Sequence, residues 1–549
     1  MSKIIIYQIF TRLYGNSCQA RKTNGTLEEN GCGKLNDFTP AVLKELQKRG
    51  ITHVWYTGVI RHATQTDYSS YGIPRQHPAV VKGKAGSPYA IADYYDIDPD
   101  LAVDVPKRMQ EFEQLVARTH KAGLKMIIDF VPNHVARQYH SICAPKGVKD
   151  LGEGDNQQNG FDPQNNFYYC PGQVFTPYFD LYHGEAQPYH EEPAKATGND
   201  CFHNAPGQND WYETVKLNYG VDYYAGQVGH FFPMPNTWKK MTDILLFWAS
   251  KGVDGFRCDM AEMVPAEFWA YATKEVKRKY PDLLFIGEVY NPNEYRSYIA
   301  SGFDYLYDKV GMYDAVRDVI CHRQGTNAIT NAWQRTDDIR QHMLYFLENH
   351  DEQRIASDFF AGDGHKAVPA LIANMLMQQN PFMIYAGQEY GERGMDAEGF
   401  SGRDGRTTIF DYWSVDTLCR AASGHLNEDE QQLSYIYNKV MKIAQKEKAI
   451  GEGLMFDLMY VNQQDQRQYA FLRRSEKSLL LVVVNFDDQP VQTAITLPAH
   501  AFDYLGIKEK KYTATELLSD TKTELSLKRD AAVDISLPAR NGVVLKMMA

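Results

Sequence analysis

The sequence has few cysteines, no excess of positive charge and no long apolar segment. Its 549 residues include 8 cysteines, and no two are spaced as Cys-X-X-Cys, which argues against a zinc ribbon or a dithiol redox motif. Acidic residues outnumber basic ones by 69 to 58, giving a net charge of −11. Phosphate contacts need basic patches, so we expect no nucleic-acid partner. No apolar run is long enough to span a membrane, so we expect no membrane partner either.

The first residues, MSKIIIYQIF, form a strand-like run and lack the long apolar segment and cleavage site of a signal peptide. We therefore expect a cytoplasmic protein whose cysteines are free thiols. Cys258, flanked by Arg257 and Asp259 in a predicted core strand, fits a buried free thiol.

A repeating unit does run along the chain: an amphipathic helix, a Gly or Pro break and a short apolar strand. In residues 106–121 apolar side chains fall at helical spacing, Gly123 ends the helix, and KMIIDFVPNH follows as a strand. The same order recurs in residues 242–259 and 265–288. The other predicted strands lie in IIIYQIF, THVWYTGVI, MLYFLENHD and PFMIYAGQE. Alternating helices and strands predict a parallel sheet.

Polar residues gather where these strands end, which is typical of a (β/α)8 TIM barrel, whose active site lies at the strand C-termini. An open doubly wound sheet is the alternative, but no G-X-G-X-X-G follows a strand. We predict a barrel from residues 1–135 and 236–450, interrupted after strand 3 by a loop-rich inserted domain, residues 136–235. Residues 451–549 alternate as strands without helices and predict a C-terminal antiparallel β-sandwich.

Three predicted strands end in a carboxylate, and two histidines and an arginine lie beside them. Each alone has an ordinary explanation, because an acidic residue at a strand end is usually solvated or caps a helix. Barrel closure, however, brings distant strand ends into one mouth. Arg257 and Asp259 are two residues apart and share one side of a strand, as a structural ion pair or as part of an active site. The set is Asp259, Glu288, Asp351, His134, His350 and Arg257.

Four stretches then resemble the conserved motifs of the alpha-amylase family, glycoside hydrolase family 13: DFVPNH (129–134), GFRCD (255–259), GEV (287–289) and NHDEQR (349–354). GQE (387–389) and YAIADYYDIDP (89–99) match as well. The resemblance covers nearly the whole chain. It implies a retaining hydrolase of α-glucosidic bonds, mainly α-1,4, in maltodextrins or starch fragments, which acts through a covalent glycosyl-enzyme intermediate without a cofactor.

The resemblance also implies roles for the charged residues. Asp259 corresponds to the nucleophile, Glu288 to the general acid/base and Asp351 to the residue that stabilises the transition state. Retaining hydrolysis needs one ionised and one protonated carboxyl group about 5 Å apart. We expect Arg257 to lower the pKa of Asp259, and burial or neighbouring carboxylates to raise that of Glu288.

Further residues match sugar-binding and ion-binding positions of the family. His134 and His350 correspond to residues that hydrogen-bond the sugar, and Tyr89 to a tyrosine that stacks on it. Asn133 corresponds to a residue that binds structural calcium in many members; its alternative role is to cap a loop at the barrel rim.

One departure leaves the activity open. Many amylases carry Lys and His three and four residues after the nucleophile, where this chain has Glu262 and Met263. The alternatives are a glucanotransferase with the same site, and a non-catalytic glycan-binding relative, against which the three intact carboxylates argue. The sequence indicates no oligomeric state.

Overall fold

Eight parallel strands close into a barrel, and each is hydrogen-bonded to its neighbour along the chain, with the last returning to the first. The computed structural model describes residues 3–548. The barrel strands are β1 (Ile5–Phe10), β2 (His53–Thr57), β3 (Lys125–Phe130), β4 (Gly255–Cys258), β5 (Leu284–Gly287), β6 (Tyr305–Tyr307), β7 (Met343–Phe346) and β8 (Phe382–Tyr385). The predicted (β/α)8 barrel is confirmed.

The barrel interior is a packed core to which seven of the strands contribute side chains. These side chains alternate with neighbours that face the surrounding helices, so both faces of the strands are buried and the strands read as nearly continuous apolar runs. The strand residues of this interior cluster are Ile6, Trp55, Ile127, Ile286, Tyr307, Leu344, Phe346 and Met383. Strand β6, only three residues long, is the one barrel strand that the sequence did not reveal.

The helices that cover the barrel are amphipathic. In Ala266–Lys279, for example, Phe268, Trp269, Ala272 and Val276 are buried at helical spacing, and three basic residues occupy the last turn, where they favour the helix dipole. The α-helices up to the C-terminal domain are Leu27–Asn30, Pro40–Arg49, Arg108–Lys121, Asn236–Ser250, Ala266–Lys279, Tyr295–Ala300, Asp314–Ile320, Asn327–Arg335, Val368–Met377, Asp416–Ser423, Glu428–Lys446 and Lys448–Gly451. Among residues 3–548 no helix combines the length and the apolar character needed to cross a membrane.

Between β3 and the helix Asn236–Ser250 the chain leaves the barrel, and its strand pairs there are antiparallel and only two or three residues long. His134–Ala136 pairs with Thr214–Lys216, Tyr169–Cys170 with Ala194–Lys195, and Val221–Asp222 with Val228–Gly229. The first pair matters most for the site, because it places His134 opposite Lys216 and returns the insert to the end of β3.

The C-terminal domain is all-β apart from one helix, Ala499–Leu505, and confirms the predicted antiparallel sandwich. Its strands are β9 (Leu454–Asp457), β10 (Gln468–Arg474), β11 (Ser478–Asn485), β12 (Val491–Leu497), β13 (Lys510–Glu516), β14 (Lys522–Leu527), β15 (Ala531–Leu537) and β16 (Asn541–Met548). Six of them form one sheet in the order β9-β10-β11-β16-β13-β14, and β12 pairs with β15.

One buried arginine joins the sandwich to the barrel. Arg473, in β10, donates to the carbonyl oxygens of Met377 at 2.7 Å, Ala449 at 2.9 Å and Ile450 at 2.8 Å. These carbonyls lie at the C-terminal ends of the helices Val368–Met377 and Lys448–Gly451, where backbone acceptors lack partners within the helix.

Candidate active site

The carboxyl ends of the barrel strands surround a cavity of about 400 Å³, closed on one side by the insert. Most of the residues that the sequence singled out line it. Its charged and aromatic lining residues are Lys82, Tyr89, His134, Trp211, Glu213, Asp259, Glu288, Tyr290, Asp351 and Phe410.

Arg257 lies beneath the cavity floor and holds the carboxylates together. Its side chain is 1% exposed, and it donates from Nη1 to Asp259 Oδ1 at 2.8 Å and from Nη2 to Glu288 Oε2 at 2.9 Å. Asp351 Oδ2 lies 4.0 Å from the same Nη2. The indole ring of Trp55 packs against the guanidinium at 5.1 Å. The expected shared orientation of Arg257 and Asp259 is therefore present, and it gathers three carboxylates around one cation.

Glu288 has both carboxylate oxygens engaged. Oε2 also accepts from the backbone N–H of Met260 at 2.8 Å, and Oε1 accepts from the hydroxyl of Tyr290. Glu262, one of the two departures from common amylase sequences, accepts from the backbone N–H groups of Tyr290 at 3.0 Å and Asn291 at 2.9 Å. Glu262 thus holds the loop that carries Tyr290 over Glu288.

His350 and Tyr89 pack against the same carboxylate cluster. Their rings stack with centroids 5.3 Å apart, and the Tyr89 hydroxyl lies 2.5 Å from His350 Nε2, which is 3.1 Å from Asp351 Oδ2. Gln8 Nε2 donates to His350 Nδ1 at 2.7 Å, so the ring proton belongs on Nε2. Burial, helped by Arg257, holds the pKa of His350 well below its ordinary value, and the imidazole is a neutral donor.

His134 faces Asp259 from the insert side. Its Nε2 lies 4.0 Å from Asp259 Oδ2, and its ring packs on Trp211 with centroids 5.2 Å apart. Burial, followed by the charges of Lys216 and Lys82, lowers the pKa of His134 to about 3, so this ring is neutral as well.

The carboxyl group of Asp259 does not titrate as the sequence predicted. Burial, with the charges of Glu288, Asp351 and Asp129, raises the pKa of Asp259 well above its ordinary value, although Arg257 opposes the rise. The expected net lowering by Arg257 is wrong, because one guanidinium cannot compensate several buried carboxyl groups. Burial likewise raises the pKa of Asp351 to about 7 and that of Asp129 to about 6. Asp259, Asp351 and Asp129 therefore keep their protons to higher pH than isolated aspartic acids do.

Asn133 does not fit the predicted calcium ion. Its amide oxygen accepts from Lys216 Nζ at 2.5 Å, and its Nδ2 donates to the carbonyl of Gly198 at 2.8 Å. Lys216 also pairs with Asp200 Oδ1 at 2.7 Å. An ammonium group therefore uses the oxygens that a calcium ion would need at this position.

Within residues 3–548, the ligand-type side chains that come close enough to share a metal ion are Asp93, Asp96 and Cys143. The guanidinium of Arg61 lies 3.3 Å from Asp93 and 3.4 Å from Asp96, so a positive charge already neutralises these two carboxylates in part. Arg108 also binds Asp96, at 2.7 Å.

Two known domain families match most of the chain. Residues 8–439 match the catalytic domain of alpha amylase, and residues 460–548 match the alpha amylase C-terminal all-beta domain. The chain belongs to the alpha-amylase family. It is a glycosidase, as the resemblance of its motifs predicted.

This alpha-amylase family enzyme is similar to known amylases at low sequence identity. Alpha-amylase 3 of Dictyoglomus thermophilum is 24% identical over 430 residues, which cover 73% of this chain and 74% of that protein. The noncanonic maltogenic alpha-amylase AmyB of Thermotoga neapolitana has a similar structure, with a TM-score of 0.64, 21% identity and coverage of 100% of this chain and 99% of that one. The alpha-amylase of Geobacillus thermoleovorans, solved with acarbose, has a TM-score of 0.64 at 18% identity and coverage of 99% and 98%.

Three residues of this glycosidase's site escaped the sequence analysis. Asp129, which accepts from Arg257 at 3.3 Å and Trp55 at 3.0 Å, lies inside the DFVPNH motif and could have been found there. Tyr290 directly follows the GEV motif and could also have been found from the sequence. Trp211 comes from the aperiodic insert, where no sequence pattern marks it.

Proposed function

We propose that this glycosidase hydrolyses α-1,4-glucosidic bonds of maltodextrins and starch fragments with retention of anomeric configuration. The observation that carries the proposal is that Asp259 and Glu288 bind the two terminal nitrogens of the same guanidinium, Arg257. Two carboxyl groups held by one guanidinium are close neighbours. This favours the short separation of a retaining pair, about 5 Å, over the roughly 6.5–9.5 Å that an inverting enzyme needs for its water.

In the proposed mechanism Asp259 attacks the anomeric carbon and forms a glycosyl ester. Glu288 donates a proton to the glycosidic oxygen, so that the leaving sugar departs as an alcohol. A water molecule then enters, Glu288 takes one of its protons, and the resulting hydroxide breaks the ester and regenerates both carboxyl groups. The attack requires Asp259 in its ionised form, and Arg257, which donates to it at 2.8 Å, favours that form against the burial that raises its pKa.

We propose that uncharged hydrogen-bond donors and aromatic rings orient the substrate. His134 and His350 are buried and uncharged, which suits them to hydrogen-bond sugar hydroxyls without placing another charge beside the carboxylates. Tyr89 offers an aromatic face, while Asp351 lies at the open side of the cluster with 38% of its side chain exposed. In that position Asp351 would stabilise positive charge that develops at the anomeric carbon. The chemistry requires no cofactor.

The substrate class rests on the shape of the cavity and on the family. A cavity of about 400 Å³ with Trp211 and Phe410 among its walls accommodates a sugar ring packed against aromatic surfaces. A solved member of similar fold binds acarbose. A soluble α-glucan chain is therefore the proposed substrate.

The test is the stereochemistry of the first product. Maltoheptaose is hydrolysed in an NMR tube, and anomeric protons are recorded within the mutarotation time, with fresh maltose of known anomer as the control for spontaneous conversion. We expect the new reducing ends to appear as the α-anomer. A first-formed β-anomer contradicts the retaining mechanism, and products longer than maltoheptaose as the main outcome would favour the glucanotransferase alternative.

A further inference from the structure

Lys216 is a buried cation that joins three segments where the insert meets the barrel. It ends the short strand Thr214–Lys216 of the insert and is 2% exposed. Its ammonium lies 2.5 Å from Asn133 Oδ1, at the end of β3, and 2.7 Å from Asp200 Oδ1, in the insert. The carbonyl oxygen of Met263, in the loop after β4, lies 3.4 Å away. A buried ammonium with such partners is expensive to displace, because the oxygens would be left unpaired.

The ammonium also determines which way the Asn133 amide points. Lysine can only donate, so Asn133 Oδ1 must face Lys216 and Nδ2 must face the other way. There Nδ2 donates to Gly198 O at 2.8 Å and to His134 Nδ1 at 3.0 Å. An imidazole that accepts at Nδ1 carries its proton on Nε2, and Nε2 is the atom that faces Asp259 at 4.0 Å.

The insert backbone is also in close contact with His134. A Cβ atom at Gly198 would lie 2.9 Å from the Cβ of His134, so the backbone approaches as closely as only glycine allows. The position of His134 is thus held by Gly198 on one side and by the Asn133 amide on the other.

We propose that Lys216 is a positioning residue: its ammonium takes the place of a structural calcium ion between barrel and insert, and fixes His134, through Asn133, as a donor from Nε2 toward the substrate. Asn133 would present the same oxygen to a divalent ion, so a built-in cation gives the same amide orientation without depending on free metal. The part of the proposal that concerns His134 rests on the proposed hydrolysis, whereas the part that concerns the ion does not.

The ion is tested on the wild-type chain without any activity measurement. The melting temperature is measured by differential scanning fluorimetry after dialysis against a chelator, and again in millimolar calcium chloride. A native-state ligand raises the melting temperature with the logarithm of its free concentration. We expect the two values to agree within about 1 °C. A fall of more than about 3 °C in chelator overturns the replacement of calcium by Lys216.

The positioning role is tested with Lys216→Met against a matched control, Lys240→Met. Lys240 also joins barrel to insert, from the helix Asn236–Ser250 to Asp150 O at 2.7 Å and Asn166 Oδ1 at 2.8 Å, but it hydrogen-bonds to neither Asn133 nor His134. Both changes should lower the melting temperature by a few degrees, on the order of 3–6 °C for Lys216→Met. Only Lys216→Met should lower kcat/KM for maltoheptaose, by about 10-fold or more, as residues that orient a binding group typically do. Equal kcat/KM in the two variants overturns the role.

A second variant keeps the test valid if Lys216→Met fails to fold. Asn133→Asp retains an oxygen partner for Lys216 but removes the donor to His134 Nδ1. We expect a melting temperature within about 2 °C of wild type together with a loss of kcat/KM of about 10-fold. Activity within twofold of wild type contradicts the proposal. If every variant and the wild type lack hydrolysis, the proposed function fails, while the chelator result still decides the ion.

Discussion

The two sides of the cavity are built in different ways. On the barrel side, Asp129, Asp259 and Glu288 lie at or just beyond the ends of regular buried strands and share Arg257. On the insert side, Trp211 and Lys216 come from a segment whose strands are two or three residues long, and they contact His134 or its neighbour Asn133. The difference suggests a division of labour: the barrel supplies the reacting groups, and the insert sets the shape of the site and the orientation of its donors. Substitutions on the two sides should therefore affect different kinetic constants.

The largest effect should come from Asp259→Asn on the barrel side. An amide cannot form the glycosyl ester, so we expect kcat for maltoheptaose to fall by at least about 10³-fold with the fold intact. Reducing-end release measures kcat, and circular dichroism checks the fold. Asp282→Asn, an exposed change just before β5, is the control and should keep full activity. A folded Asp259→Asn variant with a tenth of wild-type activity would remove Asp259 from its proposed role.

An intermediate effect is expected from Trp211→Ala on the insert side. The ring lines the cavity and packs on His134, so its loss should weaken the bound and transition states alike. We expect KM for maltoheptaose to rise about 10-fold, within the range of one lost aromatic contact, and kcat to change less than about threefold. Tyr178→Ala, an exposed aromatic of the same insert that does not line the cavity, should change neither constant. A large fall in kcat with unchanged KM would contradict the proposal that the insert shapes the site while the barrel supplies the reacting groups.

The smallest effect concerns stability and pH on the barrel side. The pKa of Asp351 is raised to about 7 in the folded protein, against 3.8 as its ordinary value. Between these values the folded state binds more protons than the unfolded state, so this group lowers stability as pH rises from about 4 to 7, and the penalty is complete above pH 7. Asp351→Asn removes the penalty. Its melting temperature should exceed that of wild type by roughly 1–3 °C at pH 8 and by less at pH 5, because solvent screens the partly exposed carboxylate.

Thermal melts of both proteins at the two pH values provide the measurement, with Asp282→Asn as an exposed carboxylate whose removal should show no such pH dependence. A difference that is larger at pH 5 than at pH 8 would reverse the assigned sign.

Much of the barrel could be predicted because its strands are apolar runs bounded by breaks. Asp259, Glu288 and Asp351 followed from their places at strand ends, together with motifs in the expected order. Strand β6 (Tyr305–Tyr307) was not found, since three residues with polar neighbours give no periodic signal. Its place in the barrel is set by pairing with β5 and β7 rather than by its own composition.

Features that depend on long-range contacts could not be predicted. Lys216 lies 83 residues from Asn133 along the chain, and nothing in the local sequence indicates that its ammonium meets that amide. The prediction that Arg257 lowers the pKa of Asp259 was wrong for a related reason. The partner two residues away was visible in sequence, whereas the burial and the other carboxylates that raise the pKa belong to the closed barrel.

Arg473 gives the sandwich a part in the integrity of the barrel. Its guanidinium serves as a shared C-cap: a strand of one domain completes the backbone hydrogen bonding of two helices of the other. A barrel separated from the sandwich would leave those helix ends uncapped and would expose carbonyl groups that are now in a dry contact. We therefore expect the two domains to unfold together, so that the C-terminal domain also stabilises the barrel that carries the carboxylates.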